Sequence, residues 1–197
     1  YKNLNLYFLD QMIVSFTNFA LTIIIVRSLG VEQFGVFSFF WLLLLLINSI
    51  QLAFIISPML TNAAKVNNNN VKNYYGGVLI QQFIFTFIVF ILLLIFFKFF
   101  FNIFFEFDVS KIYIVFSLTL VISQFFNFFR KFYICKKYIS KLCKIDLFYG
   151  LSMILSILYF DYLNKLDIAN IFTVLMFSYF FSFVIFFPSY KEIDFNT

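Results

Sequence analysis

The sequence lacks histidine entirely and is poor in charge. Of its 197 residues, 12% are charged and 63% are hydrophobic, including 36 Phe and 12 Tyr. A soluble domain has about 25% charged and roughly 45–50% apolar residues. The composition, with a mean hydropathy of +0.99, excludes a soluble globular domain, a disordered chain and a disulfide scaffold. The absence of His excludes His-dependent chemistry by this chain alone, and we predict an integral membrane protein.

Cysteine and catalytic motifs are scarce as well. Cys135 and Cys143 lie in a Lys-rich stretch, and two Cys without His make no zinc site, so we predict two free thiols. No Gly-rich phosphate loop, Ser nucleophile elbow or metal-ligand spacing occurs. Acid–base chemistry would need carboxylates close together, but Asp10 and Asp146 fall on different predicted helices and Asp161 lies on the opposite side of the membrane. We therefore expect no enzyme, no cofactor and no metal.

Long apolar runs are what the sequence does contain. A helix that crosses the hydrocarbon needs about 20 mostly apolar residues, and six runs reach or approach that length. We predict one all-α transmembrane domain over residues 1–197, without a soluble domain. The six predicted spans are 4–26, 36–61, 77–101, 112–133, 147–163 and 168–190.

Basic residues in the connections predict the orientation. One side, which holds both termini, carries ten of them: Lys2, Lys65, Lys72, Arg130, Lys131, Lys136, Lys137, Lys141, Lys144 and Lys191. The opposite side carries four: Arg27, Lys98, Lys111 and Lys165. Because cytoplasmic loops are enriched in Lys and Arg, we expect both termini in the cytoplasm and a multi-pass protein of the inner or plasma membrane. The net charge of +5 is then a topology signal and not a sign of nucleic-acid binding.

Polar side chains follow single faces of three predicted spans. The face in the first span carries Gln11, Ser15, Asn18 and Thr22, and the face in the second carries Asn48, Gln51 and Asn62, with Pro58. The face in the fourth carries Thr119, Ser123, Asn127 and Arg130, with Gln124 beside it. Polar groups at membrane depth are costly and tend to face a bundle interior or a wet cavity. Two interpretations stay open: interhelical hydrogen bonds that hold the bundle together, or the lining of a hydrophilic cavity.

Three further features each have two interpretations. Asp10, about 9 Å into the first span, either pairs with Arg130 or is an interfacial carboxylate at a helix start. Pro58 either kinks the second helix or ends it. The basic run 130–144 is a positive-inside anchor, or it also holds anionic lipid headgroups or a lipid diphosphate.

Two segments resemble motifs of one transporter family. The connection 26–37 resembles a motif of Wzx-type polysaccharide flippases, a branch of the multidrug/oligosaccharidyl-lipid/polysaccharide exporter superfamily. The matching residues are Arg27, Leu29, Gly30, Glu32, Phe34 and Gly35. The aromatic run 125–133, which contains Arg130 and Lys131, is similar to the end of the family's fourth helix. An Asp that opens the fifth helix follows in the family, as Asp146 does here, with Tyr149 and Gly150 just after.

The resemblance implies a fold of twelve to fourteen helices in two six-helix lobes around a central cavity. Alternating access would move a lipid-linked oligosaccharide from the inner to the outer leaflet. The chain starts at Tyr1, and we expect it to be the first lobe of a longer protein, unable to transport alone. We expect Gly30 to take a left-handed cap that ends the first helix.

A lipid diphosphate bearing sugars needs cations and amides along its path. Our candidates are Arg130 and Lys131 for the diphosphate, Arg27 at the outer mouth, and Gln11, Asn18, Asn48, Gln51, Gln124 and Asn127 for the sugar. Expected partners are the lipid-linked oligosaccharide, membrane lipids, a second lobe and a coupling ion, H⁺ or Na⁺.

Three other functions stay open. A cation-coupled multidrug exporter of the same superfamily would need a buried acid, for which Asp10 is the candidate. A membrane-embedded enzyme of glycan assembly would usually carry catalytic Arg or His on a large outer loop. A structural subunit is the third alternative.

Overall fold

The computed structural model describes residues 2–63, 65–66, 71–104 and 110–186. Helix α1 runs over Lys2–Gln51 and continues through a π-helical stretch, Leu52–Ile56, into α2, Ser57–Ala63. The other helices are α3, Val71–Phe104, α4, Ser110–Cys135, α5, Ile139–Tyr162, and α6, Ile168–Ile185. These described ranges contain no strand. The end of the sixth predicted span, 187–190, and Lys191 lie outside the described residues.

Five helical segments are long and apolar enough to cross a membrane. They are Asn5–Ala63, Val71–Phe97, Lys111–Cys135, Ile139–Tyr162 and Ile168–Ile185. By length and composition this is the architecture of a multi-pass membrane protein, and the prediction of an all-α membrane bundle is confirmed at that level. The first segment has 59 residues, more than twice the roughly 20 that one crossing needs.

Helix α1 bends at one residue, Gly30. We predicted a connection there, from Arg27 to Gly35, but the chain is helical on both sides of Gly30. Gly30 has φ 75° and ψ 175°, a region that only glycine enters without steric cost. The expected left-handed cap is wrong in one respect, because φ is positive but ψ is extended. One glycine thus replaces the predicted loop.

Helix α4 packs along α6 and also contacts α5. It runs parallel to α6 and antiparallel to α5, as ring contacts along its length show. With α6, Phe116 packs against Phe172, Phe126 against Tyr179 and Phe129 against Phe183. With α5, Phe126 meets Tyr149, and Arg130 meets Asp146.

The two arms of α1, residues 2–29 and 31–51, run in opposite directions. The first arm follows α5, because Leu6 contacts Cys143 and Thr17 lies against Gly150. The second arm follows α4: the rings of Phe40 and Phe116 are 5.0 Å apart, and Gln51 bonds to Gln124. Since α4 and α5 are antiparallel, the chain turns back at Gly30.

Aromatic rings fill the centre of the bundle. Phe40, Phe116 and Phe172 are fully buried and contact one another at 5.0–5.9 Å between ring centroids. Large apolar side chains also cover the outside; Phe87 on α3, for example, is 65% exposed. A soluble protein would not carry so much exposed apolar surface, which fits a lipid environment.

Pro58 alters its helix without ending it. Proline has no N–H, and its ring clashes with the carbonyl four residues earlier, which here belongs to Phe54. The π-helical stretch Leu52–Ile56 lies at that place, and helix α2 continues to Ala63. The Tyr74 hydroxyl donates to the Pro58 carbonyl at 3.2 Å, which ties α2 to the start of α3.

The connection between α4 and α5 is much shorter than predicted. We took residues 130–144 as a basic connection, but three residues, Lys136–Tyr138, separate Cys135 from Ile139. Lys137 takes φ 59° in this turn. The prediction followed apolar character, which stops at the Lys-rich stretch, whereas both helices continue into that stretch. Both cysteines are free thiols, as predicted.

Candidate functional site

Three charged side chains from three helices meet inside the bundle. Asp10 comes from the first arm of α1, Arg130 from α4 and Asp146 from α5. The Arg130 Nη2 donates to Asp146 Oδ2 and lies 3.9 Å from Asp10 Oδ2. Asp10 and Asp146 are 1% and 2% exposed. We call these three residues the charged cluster.

A close helix contact brings the two carboxylates to the same guanidinium. A Cβ atom built at Gly150 would lie 2.5 Å from Thr17 Oγ1. Only glycine therefore lets α1 and α5 approach this closely at that level. Gly150 lies one helical turn from Asp146 on α5, and Thr17 two turns from Asp10 on α1, so this contact helps to set the depth and spacing of the charged cluster.

The charged cluster has spare hydrogen-bonding capacity. Both Asp10 oxygens, Asp146 Oδ1 and Arg130 Nε are buried without a hydrogen-bond partner among the described residues. With both acids ionised, two carboxylates and one guanidinium sum to one negative charge. A buried charge without compensation costs several kcal/mol. The remaining negative charge is offset by the half-buried Lys131 ammonium, which interacts electrostatically with both carboxylates, or by a proton or a monovalent cation.

Aromatic side chains surround the charged cluster towards the centre of the bundle. The Arg130 guanidinium lies 5.8 Å from the Phe126 ring centroid. The Tyr149 and Tyr179 rings stack at 4.7 Å with an interplanar angle of 9°, and both contact Phe126. This packing separates the charged cluster from the remainder of the interior.

A second polar group, uncharged, joins the second arm of α1 to α3 and α4. The Gln51 side-chain nitrogen donates to Gln82 Oε1 at 2.9 Å and to the main-chain carbonyl oxygen of Gln124 at 2.7 Å. Gln124 donates to Asn48 Oδ1 at 2.7 Å, and Gln82 to Thr86 Oγ1 at 2.9 Å. We call these five residues the amide network. Gln51, Gln82 and Gln124 are fully buried, which favours the interhelical hydrogen-bonding interpretation for the predicted candidates Asn48, Gln51 and Gln124.

The other predicted candidates lie outside that network. Gln11 and Asn18 are exposed on the first arm of α1, and so are Ser15 and Thr22 of the same stripe. Asn127 and Lys131 are half-buried, one turn apart on α4. Arg27 is exposed near the bend at Gly30, at the end of the bundle opposite the charged cluster.

The sequence did not reveal three partners: Asp146 in the charged cluster, and Gln82 and Thr86 in the amide network. We treated Asp10 and Asp146 as separate because they lie on different helices, and we left Gln82 and Thr86 unnoticed in an apolar run. Pairing of Asp10 with Arg130 was one of two interpretations, and the structure brings them together. The spacing of Gln82 and Thr86, four residues apart on one helical face, was the signal that would have found them.

Neither a metal site nor a similar known protein indicates a function for this chain. Within the described residues, no group of three or more His, Cys, Asp or Glu side chains could hold a metal ion. No protein-family model, curated protein or solved structure matches this chain. The function is therefore argued from the residues and their arrangement.

Proposed function

We propose that this chain is the first lobe of a flippase that moves a polyprenyl-diphosphate-linked oligosaccharide from the inner to the outer leaflet. Such a transporter would serve the biosynthesis of O-antigen or capsule at the cell membrane. The resemblance of residues 26–37 and 125–133 to Wzx-type flippases supports the family, and we propose transport and not catalysis.

One observation carries this proposal, the exposed polar stripe of α1. Gln11, Ser15, Asn18 and Thr22 point away from the bundle although they lie in a segment apolar enough to cross a membrane. Amide and hydroxyl groups facing lipid are costly. The stripe is stable only if it faces water or other polar groups, such as a cavity shared with a second lobe. Sugar hydroxyls are suitable partners for its amides.

The phosphate end of the substrate needs a cation. Arg130 is already shared by Asp10 and Asp146, so a diphosphate would have to compete with two carboxylates for it. Lys131 is half-buried one turn from Asn127 and makes no ion pair in the described part of the chain. We therefore assign diphosphate binding to Lys131 and the positioning of the carboxylates to Arg130.

We also propose six crossings with both termini in the cytoplasm. The opposite directions of the two α1 arms support separate crossings on either side of Gly30. Lys136 lies against Tyr75 near the start of α3, which puts the basic α4–α5 turn and Lys72 at one end of the bundle. A reporter fused after Lys137 should read cytoplasmic, and one fused after Lys165 should read extracytoplasmic. The reverse pattern would overturn the orientation.

A second candidate function is a cation-coupled multidrug exporter of the same superfamily. The charged cluster favours it, because two buried carboxylates share one guanidinium and can take up H⁺ or Na⁺. Coupling and flipping are compatible in one protein, so the substrate distinguishes the candidates. Efflux of cationic drugs by the full-length protein, without flipping of lipid-linked oligosaccharide in proteoliposomes, would replace the flippase proposal by the exporter.

Thiol accessibility tests the wet cavity. Cys135 and Cys143 are first replaced by Ser in the full-length protein, and single cysteines are placed at Gln11 and Asn18. Both should react in membranes with a charged thiol reagent that does not cross lipid. A cysteine at Phe87, exposed among apolar neighbours on α3, is the control and should stay protected. Protection of Gln11→Cys and Asn18→Cys would contradict the cavity.

Transport tests the role of the stripe. Gln11→Leu and Asn18→Leu should reduce the flipping of lipid-linked oligosaccharide at normal protein level. Gln81→Leu is the matched control, since Gln81 is also an exposed amide but lies on one face with the exposed Ile84 and Ile88. Equal activity of all three variants would remove the stripe from the substrate path.

A further inference from the structure

The turn between α4 and α5 concentrates positive charge without acidic partners. Lys136, Lys137, Lys141 and Lys144 lie within nine residues that contain no Asp or Glu. Both ion pairs found among the described residues involve Arg130. The next acid along the chain, Asp146, is already bound to Arg130. The four ammonium groups therefore have no carboxylate partner in the described part of the chain.

Aromatic rings hold two of these ammonium groups in place. Lys136 Nζ lies 4.7 Å from the Tyr75 ring centroid and 5.7 Å from that of Phe132. Lys141 Nζ lies 4.4 Å from the Tyr133 centroid. A ring face attracts the cation but accepts no conventional hydrogen bond from it. Both ammonium groups are thus positioned while their N–H donors remain available for oxygen acceptors.

The turn lies where a membrane would end. The turn joins two helices that are each long and apolar enough to cross a membrane, Lys111–Cys135 and Ile139–Tyr162. Tyr138, between them, is 46% exposed, and Tyr74, Tyr75 and Tyr133 lie at the same end of the bundle. Tyr is enriched at the membrane–water interface, at the level of the lipid headgroups.

We propose that the α4–α5 turn and the start of α5, residues 136–144, bind the phosphate of an anionic phospholipid headgroup. Clusters of Lys beside a transmembrane helix attract anionic lipids, and a lysine ammonium binds phosphate as a compact point charge. Lys136, held beside α3, and Lys141, held over the Tyr133 ring, each supply one positioned donor. Lys137 and Lys144 are exposed and add to the positive surface. This site is separate from the proposed substrate path and does not depend on the proposed function.

Titration of the purified chain in neutral detergent tests this site. The probe is a short-chain phosphatidylglycerol, with short-chain phosphatidylcholine and inorganic phosphate as comparators, and bound lipid is counted by native mass spectrometry. Phosphatidylglycerol should bind in preference to both comparators. The double variant Lys136→Gln/Lys141→Gln should weaken that binding by roughly thirtyfold. Each lysine near a lipid surface contributes a factor of about five to six to the attraction of anionic headgroups, and the two factors multiply.

The matched control is the double variant Lys111→Gln/Lys165→Gln. Both lysines are exposed at the opposite end of the bundle, so the change in net charge is identical, and this variant should bind phosphatidylglycerol like the parent chain. Equal weakening by both double variants would show attraction to total charge and overturn the site. Inorganic phosphate that binds as well as phosphatidylglycerol would overturn the lipid headgroup as its occupant. Unchanged thermal unfolding of each variant without lipid shows that it is folded.

Discussion

The charged cluster and the amide network are both buried polar groups at membrane depth, but they are bonded differently. In the amide network, each of the three glutamine side-chain nitrogens donates to an oxygen of a neighbouring residue. Two side-chain oxygens, Gln51 Oε1 and Gln124 Oε1, have no hydrogen-bond partner among the described residues. In the charged cluster, three carboxylate oxygens have no hydrogen-bond partner among the described residues. An unpaired charge in the interior is far more costly than an unpaired amide carbonyl. The amide network thus acts as a structural bond between helices, whereas the charged cluster keeps charged oxygens that have no hydrogen-bond partner among the described residues.

The largest effect that would test this difference is expected at Arg130. Arg130→Gln leaves two buried carboxylates without their cation, and removing one partner of a buried ion pair costs about 3–5 kcal/mol. The free energy of unfolding in mixed micelles should fall by that amount. The double variant Arg130→Gln/Asp10→Asn should recover part of the loss. A loss below 1 kcal/mol, on the order of an exposed pair, would show that the charged cluster is hydrated.

The next effect is expected at the helix contact that spaces the charged cluster. Gly150→Ala places a Cβ atom against Thr17 and should destabilise the chain by about 1–3 kcal/mol, as overpacking does. The double variant Gly150→Ala/Thr17→Ala removes the clashing atoms and should restore most of the stability. Thermal unfolding in detergent measures both. Failure of the second change to restore stability would mean that the contact is not the cause.

A smaller loss is expected in the amide network. Gln51→Leu removes the hydrogen bonds to Gln82 and to the Gln124 carbonyl, and interhelical hydrogen bonds in membranes contribute about 0.6–2 kcal/mol. The free energy of unfolding should fall by about 1–2 kcal/mol. The control is Gln81→Leu, which replaces an exposed amide next to Gln82 in the sequence and should have little effect. A loss as large as that of Arg130→Gln would remove the distinction between the two groups.

The smallest effect on stability is expected for the exposed stripe. Gln11→Leu breaks no hydrogen bond within the described bundle, so its stability should change by no more than about 0.5 kcal/mol. Unfolding in detergent measures this, alongside the transport assay proposed above. A marked destabilisation would show that Gln11 is part of the structural packing and would weaken its assignment to a substrate path.

The sequence predicted the all-helical membrane architecture because it depends on composition and run length alone. It also found Gln51 and Gln124, whose polar character is conspicuous in apolar spans. Their partners could not be predicted, since the Gln51 contacts reach residues 31 and 73 positions away. The Arg130–Asp146 pair was hidden for another reason: the predicted long connection separated two residues that a three-residue turn brings together.

The reach of the first arm of α1 has a consequence for how the chain is made. This arm is synthesised first, yet Asp10 meets Arg130 only 120 residues later, and Leu6 meets Cys143 across 137 positions. At roughly 5–20 residues per second, the arm waits on the order of ten seconds for its neighbours. During that time the nascent Asp10 carboxylate has no guanidinium partner to offset its charge. The earliest helix is therefore secured only after α4 and α5 have been made.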